Sequence, residues 1–444
     1  MPELNSGDTA WVLTSAALVL LMTPALAFFY GGMVRVKSVL NMMMMSVIAM
    51  GIVSILWVMY GFSVAFGNSG NGFWGGLSDI GLGEEVNKLA TNGGIYPIPA
   101  LVFAMFQLMF AIITVALISG AIADRAKFLA WGVFVAIWVS IVYFPVAHWV
   151  FDFGGATLLD KGAGWLAARG VEDFAGGTAV HINAGAAGLA LCLIIGKRAG
   201  WPKTPMKPHN LTLVILGAGL LWFGWFGFNA GSALGATQLA AVAFTNTMVA
   251  TAAALLGWLA VEKIRDGHPT TLGGASGAVA GLVAITPACA FVAPWGAVVL
   301  GLLAGCICCL CVGLKFKLKF DDSLDVVAVH LIGGIVGSLA IGFLGTKRVN
   351  SAGLDGIFYG GGTDLLGKQA LGVISVLAYS FAVTLILGLI IHKTIGFRIN
   401  EEDEVGGIDL AEHAESAYEL FAGAGGGGLG ARMTSAREDA EVKA

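Results

Sequence analysis

The sequence predicts an all-α polytopic membrane protein with eleven transmembrane helices, arranged as an inverted repeat of spans 1–5 and 6–10 plus an eleventh helix. Three observations lead there. Of 444 residues, 57% are hydrophobic and only 12% are charged, about half the roughly 25% charge of soluble domains. Eleven apolar stretches approach the about 20 residues that a membrane helix needs. Two ten-residue segments that share Ala, Val, His and two Gly at matching positions lie five spans apart. The composition excludes an ordinary soluble globule and a disordered chain. A formal net charge of -4 without a basic block excludes a nucleic-acid binder. The 65 glycines fit the same reading, because small residues let membrane helices approach closely.

In chain order the spans are 9–33, 39–66, 97–121, 128–150, 176–196, 210–231, 237–261, 272–290, 295–314, 326–345 and 370–395. No Lys or Arg lies between Met1 and Ala10, so the first span reads as a membrane helix and not as a signal peptide. Alternate loops differ in basic charge. One set holds thirteen Lys and Arg residues, among them Arg35, Arg125, Arg198 and Lys315, and the other set holds six, including Lys161. The richer set belongs inside. The N-terminus is then outside and the C-terminus cytoplasmic. Residues 1–396 form the transmembrane domain and 397–444 a cytoplasmic tail, acidic at 401–404 and Gly-rich, hence flexible, at 423–430.

The repeat pairs Ala179-Val180-His181-Ile182-Asn183-Ala184-Gly185-Ala186-Ala187-Gly188 with Ala328-Val329-His330-Leu331-Ile332-Gly333-Gly334-Ile335-Val336-Gly337. Asp173 precedes the first His by eight residues and Asp322 the second by eight. Five spans apart means opposite direction through the bilayer. Such inverted repeats build transporters with a site near the midplane. His181 and His330 are the histidines deep inside spans, where polar groups are costly and tend to be functional. Two unrelated histidines, each satisfied by a neighbouring helix, are the plain alternative. The repeat favours a functional pair.

Span six ends in a second constellation. Trp225, Phe228 and Ser232 share one helix face. Span three adds Phe103, Phe106 and Phe110 with Gln107. Such stripes are commonly packing or an interfacial belt, but these rings run deep and a hydroxyl sits at the mouth. Ring faces attract cations, so a small-cation site is the functional reading. Cys306, Cys308, Cys309 and Cys311 crowd span nine. Metal binding needs thiolates, which lipid disfavours, so they read as small membrane residues. No metal and no cofactor are expected.

Longer motifs carry a resemblance. Phe28-Phe29-Tyr30-Gly31-Gly32, the run from Asp173 through Asn183, Gly224-Trp225-Phe226-Gly227-Phe228-Asn229-Ala230-Gly231-Ser232, the stretch Ser276 to Cys289, and Asp325-Val326-Val327-Ala328-Val329-His330 closely resemble the ammonium transporter (Amt/MEP/Rh) family, Amt branch, in order over about residues 10–420. The resemblance implies no enzyme but a plasma-membrane homotrimer with one pore per subunit. It implies an outer ammonium site at Phe110, Ser232 and Phe151, shaped by Asp173, above a gate of Phe110 and Phe228. The pore would contain His181, His330, Trp225, Phe29, Tyr143 and Val326. The family usually has Trp where this chain has Phe151, and Trp149 lies two residues earlier. Either the outer site is weaker here or Trp149 substitutes. The tail, with Gly396-Phe397-Arg398, Gly407-Ile408-Asp409 and the segment from His413 to Tyr418, also resembles the family. That implies a regulatory segment to about residue 420, packed on the cytoplasmic face where PII-type signalling proteins typically dock.

Elementary energetics supports ammonia passage. Taking a bare ion into a dry lumen costs on the order of 20 kcal/mol. Deprotonating ammonium at pH 7 costs only about 3 kcal/mol, for an aqueous pKa of about 9.2. An apolar lumen should pass ammonia, with or without separate proton transfer. Paired imidazoles serve either lumen ordering or a proton relay. Three rivals have their own signatures. A b-type haem between the two histidines would give a Soret band. An ammonium sensor would carry a larger cytoplasmic signalling domain. An unrelated secondary transporter would show paired Gly/Pro-interrupted helices.

Overall fold

A computed structural model describes residues 3–67, 72–89, 96–153 and 163–418. The Gly-rich segment 423–430, expected to be flexible, lies outside the described residues, as does Lys161. Ten helices are long and apolar enough to span a membrane: Ser6–Met33 (α1), Val36–Phe66 (α2), Ala100–Ile122 (α3), Phe128–Phe151 (α4), Gly177–Ile195 (α5), Leu211–Gly231 (α6), Gln238–Asp266 (α7), Pro294–Leu318 (α9), Val327–Leu344 (α10) and Asp364–Thr394 (α11). Between α7 and α9 lies a shorter apolar helix, Thr271–Ile285 (α8). Two short helices, Glu401–Gly406 (α12) and Ile408–His413 (α13), form the tail. Among the described residues, extended pairing is limited to isolated bridges such as Ala126 with Arg398 and Val292 with Gly345.

Two boundaries differ from the apolar pattern for clear reasons. The eighth span was expected to reach 290, yet regular helix stops at Ile285. Pro287 has no N–H to continue the ladder, and its carbonyl accepts instead from the Phe174 amide at 3.1 Å. The eleventh begins at Asp364, six residues before the expected 370, through the polar turn that holds Lys368 and Gln369. Gln369 is fully buried and forms no part of a hydropathy signal.

Mirror-related helices pack against each other. α1 and α6 meet through glycines: a Cβ on Gly217 would lie 2.7 Å from the Phe29 Cα, and one on Gly227 2.8 Å from the Ser15 carbonyl. α5 and α10 cross in the same way. A Cβ on Gly185 would lie 2.6 Å from the Leu331 amide, and one on its repeat mate Gly334 would lie 3.0 Å from the Ile182 side chain. Each histidine-bearing helix therefore lies almost backbone to backbone on the other. Outward-facing Ile55, Leu256, Ile374 and Ile386 are largely exposed, as side chains that face lipid should be.

One face is tied by charge. Arg125 is fully buried and donates to the carbonyls of Gly196 (2.9 Å), Ala123 (3.1 Å) and Asp321 (2.6 Å) and to Ser323 Oγ (2.6 Å). Arg198 forks onto Asp321 at 2.8 and 2.9 Å and reaches Asp124 at 3.0 Å. Burial pushes the Asp321 carboxyl up, but the Arg198 hydrogen bonds and charge, joined by Arg125, outweigh it and hold the group below its ordinary value. The tail folds onto this face. Asp409 accepts from the Leu40 and Asn41 amides at 3.0 and 2.8 Å, and Glu412 from the Phe128 amide at 2.9 Å. Free amides at the starts of α2 and α4 are thereby satisfied.

Candidate functional site

The two histidines come together. His181 Nδ1 and His330 Nδ1 are 3.3 Å apart, with ring centroids at 5.4 Å and an interplanar angle of 25°. Both residues sit in π-helical turns, Gly177–Ile182 and Val327–Ile332, at the starts of α5 and α10. Single π turns inside α-helices are rare and concentrate at functional positions. Further π turns occur at Trp57–Gly61 and Val139–Tyr143, but the pair at the starts of α5 and α10 is related by the repeat and carries the same residue.

Two aspartates anchor these turns. Asp173 Oδ1 accepts from the amides of Gly176 and Gly177, both at 2.7 Å. Its Oδ2 accepts from the Thr178 amide (2.7 Å), the Thr178 hydroxyl (2.5 Å) and the Ala179 amide (3.3 Å). Its mate Asp322 accepts from the Val327 amide at 2.7 Å, the residue five positions on, like Thr178 from Asp173. Helix starts carry unsatisfied amides and partial positive charge, and a carboxylate satisfies both. The halves are unequal. Asp173 is saturated, whereas Asp322 Oδ1 is buried with no hydrogen-bond partner among the described residues. Burial, with Asp325 alongside, pushes the Asp322 carboxyl up to about 6 against the pull of Lys315. Asp325 itself pairs with Lys315 Nζ at 2.6 Å.

Above His181 stands a column of rings. Trp225 lies 5.5 Å from it at 21° and Phe228 6.1 Å at 25°. Phe228 in turn packs on Phe110, centroids 4.3 Å apart and tilted by 37°. Trp225 is oriented by its indole N–H, which donates to Thr286 Oγ1 at 2.9 Å, while that hydroxyl donates to the Leu282 carbonyl at 2.7 Å. The column ends in a small pocket lined by Tyr96, Phe103, Gln107, Phe110, Phe151, Phe153, Phe174, Ser232 and Leu234. The Ser232 hydroxyl donates to the Phe228 carbonyl at 2.8 Å, which leaves its oxygen lone pairs toward an incoming donor.

The sequence-derived candidates separate under this geometry. Phe110, Phe151 and Ser232 line one pocket, and Phe228, Trp225, His181 and His330 continue from it. Trp149 is elsewhere: its indole N–H donates to the Phe73 carbonyl at 2.8 Å, and its ring packs on Trp165 and Tyr379. Asp173 stands behind the start of α5 and is absent from the pocket lining. Phe106 supports Phe110 edge-on at 4.9 Å. Phe29, Tyr143 and Val326 are buried. Phe29 pairs with Tyr30 at 5.8 Å and Tyr143 with Phe144 at 6.3 Å, and Val326 opens α10 beside Gly188. Sequence reading missed Thr286, Tyr96, Phe153, Phe174 and Leu234. Apart from Thr286, these lie outside the apolar spans, and only the fold brings them together.

A polytopic helical bundle with an inverted repeat and an aromatic pocket above a buried polar pair defines a membrane transporter or channel. The chain belongs to the Ammonium Transporter Family, whose model matches residues 10–418. An ammonium transporter of Mycobacterium tuberculosis is 57% identical over 449 residues, covering 97% of this chain and 94% of the relative. Ammonium transporter Amt1 of Archaeoglobus fulgidus is 44% identical over 421 residues, covering 94% and 100%. The crystal structure of Mep2 from Candida albicans superposes with a TM-score of 0.81 at 33% identity over 90% of this chain and 88% of that one. A structure described as a sensor Amt protein gives 0.83 at 29% identity, covering 92% and 98%. The protein is thus an ammonium transporter of the membrane, not an enzyme.

Proposed function

We propose that ammonium is captured in the pocket of Phe110, Phe151 and Ser232, loses its proton there, and crosses as ammonia past Phe110, Phe228 and the imidazole pair. The single observation that carries this reading is the continuous file from Ser232 and Phe110 through Phe228 to His181 and His330. Two ring faces and a hydroxyl oxygen offer a small cation part of what water offered it. Below the pocket the described file consists of the Phe110, Phe228 and Trp225 rings and the two imidazoles. A bare cation there would carry a Born cost on the order of 20 kcal/mol, while ammonia would carry only its deprotonation cost of about 3 kcal/mol.

The 3.3 Å contact between the Nδ1 atoms requires one ring to donate and the other to accept. Neutral imidazole carries one N–H. When His181 donates through Nδ1, its Nε2 is an acceptor and His330 Nε2 is a donor. Both roles reverse when the shared proton crosses to His330 Nδ1 while His330 Nε2 gives up its proton and His181 Nε2 takes one, so each reversal carries one net proton along the pair. His181 Nε2 is buried without a partner among the described residues, so it is open to a lumen guest. The pair can hold ammonia by either end, or pass a proton along when tautomers exchange.

The same reading places the N-terminus outside, the charged face with the tail in the cytoplasm, and the pore within each subunit of a homotrimer. Residues 397–420 form the regulatory surface of the cytoplasmic face, open to a PII-type partner. The test is His181→Ala. Its uptake is expected to fall at least tenfold or to lose discrimination against potassium, with thermal stability preserved. Normal ammonium-dependent growth together with unchanged ion selectivity would remove the role assigned to this ring.

A further inference from the structure

Glu172, next to the saturated Asp173, has no part in the transport path described above. It is 8% exposed, and its Oε2 is buried with no hydrogen-bond partner among the described residues. Its other oxygen, Oε1, accepts from the Leu354 amide at 2.6 Å. Its backbone is clasped from both sides by Gln369. The Glu172 amide donates to Gln369 Oε1 at 2.7 Å, and Gln369 Nε2 donates to the Glu172 carbonyl at 2.7 Å and to the Ser338 carbonyl at 3.0 Å. The Glu172 carboxylate thus ties the loop after α10 to the loop before α5.

That tie leads to the pocket. Gly353 is wedged so tightly that a Cβ would lie 3.2 Å from Glu172 Oε1 and 3.0 Å from the Phe291 ring. Phe291 meets Phe174 edge-on at 5.9 Å and 88°. Phe174 lines the pocket and is only two residues from Glu172. Loop, ring and pocket wall form one contiguous set.

We propose that Glu172 is a titrating positioning residue of the outer pocket: ionised, it holds the loop at Leu354 and keeps Phe174 seated, and protonated from the outer side, it releases that hold and weakens ammonium capture. This rests on the outer-pocket reading given above. Burial pushes the Glu172 carboxyl up to about 7, against the Leu354 hydrogen bond and the attraction of Lys368, with Asp355 adding to the rise. The charged groups around it are few. Lys368 is paired with Asp364 at 2.7 Å. Asp355 is occupied by the Lys347 amide at 2.9 Å and the Thr346 hydroxyl at 3.0 Å, with Lys347 and Arg348 beside it. Asp173 is saturated by its own turn.

The sign follows. Above about pH 7 the carboxylate is charged and its bond to Leu354 is charge-assisted. Below that it is neutral, and the bond loses roughly half its strength. Ammonium stays about nine-tenths or more protonated up to about pH 8, for an aqueous pKa of about 9.2, so the captured species is nearly constant. The deprotonation cost does change with pH, but equally in every variant, and the comparison of wild type with Glu172→Gln removes it.

The experiment measures ammonium-evoked current on proteoliposomes of the full chain against concentration, at outer pH of about 6, 7 and 8. Loss of charge assistance on one hydrogen bond predicts that wild-type apparent affinity weakens about fivefold from pH 8 to 6. Glu172→Gln, isosteric and unable to ionise, should flatten the profile. Glu172→Asp, which keeps a titrating carboxyl, should restore a pH step. A flat wild-type profile, or a Gln variant that keeps the wild-type step, overturns the proposal. Failure of the outer-pocket reading looks different: Ser232→Ala would then leave apparent affinity unchanged at every pH, whatever Glu172→Gln does.

Discussion

At the scale of single residues, the outer pocket turns on which ring faces the cation. Phe151 lines it, and Trp149 is committed to the Phe73 carbonyl and to the rings of Trp165 and Tyr379. Indole attracts a cation more strongly than a phenyl ring does. Phe151→Trp should therefore strengthen capture by roughly 0.5–1 kcal/mol, about two- to fivefold in apparent affinity. The concentration dependence of ammonium-evoked current checks it, and an unchanged half-saturation point would mean that position 151 contributes no cation–π term. Trp225 is a different kind of residue. Its ring faces His181, while its N–H is absorbed by Thr286, so its donor is not available to the lumen. Removal of the Thr286 hydroxyl would leave a buried indole N–H unpaired, at a cost of about 1–3 kcal/mol.

At the scale of elements, the imidazole contact depends on how closely α5 and α10 cross. Gly185 and Gly334 set that approach, since a Cβ on Gly185 would lie 2.6 Å from the Leu331 amide. Backbone cannot step aside as a side chain can. Gly185→Ala is expected to push α10 away, lower stability by about 1–3 kcal/mol and separate the two rings, with uptake lost. Gly51→Ala is the control: nothing lies within 4 Å of a Cβ there, so melting and uptake should stay as in the wild type. Equal tolerance of both substitutions would show that the crossing does not depend on glycine. The sequence made the helices and the histidine pair legible because apolar length and a recurring ten-residue pattern are local signals. It did not show the π turns at the starts of α5 and α10, beside which Asp173 and Asp322 accept amides of the following residues. Nor did it show Phe174 or Tyr96 in the pocket, since loop residues carry no periodicity. The early start of α11 was hidden because Gln369 is polar and yet buried, satisfied by Glu172 and Ser338.

At the scale of the whole molecule, the proposed path makes selectivity a matter of desolvation. Potassium and ammonium have the same charge and similar size, and a ring-lined pocket attracts both through the same quadrupoles. They differ in one respect: ammonium can leave its proton behind. Below Phe110 the proposed path meets Phe228, Trp225 and the two imidazoles, and no carboxylate lies among the described pocket residues. An ion that must stay charged faces the desolvation cost in full, on the order of 20 kcal/mol before relaxation. Ammonia faces about 3 kcal/mol, a difference too large for any plausible adjustment of pore width to reverse. An ammonium pulse on proteoliposomes adsorbed to a supported membrane should therefore give a transient current if the proton follows by its own route, or acidify the outer side without current if it does not. A potassium pulse should give neither. Potassium currents comparable with ammonium currents in the wild type would mean that the ion passes intact, and the dry file past His181 and His330 would not be the conducting path.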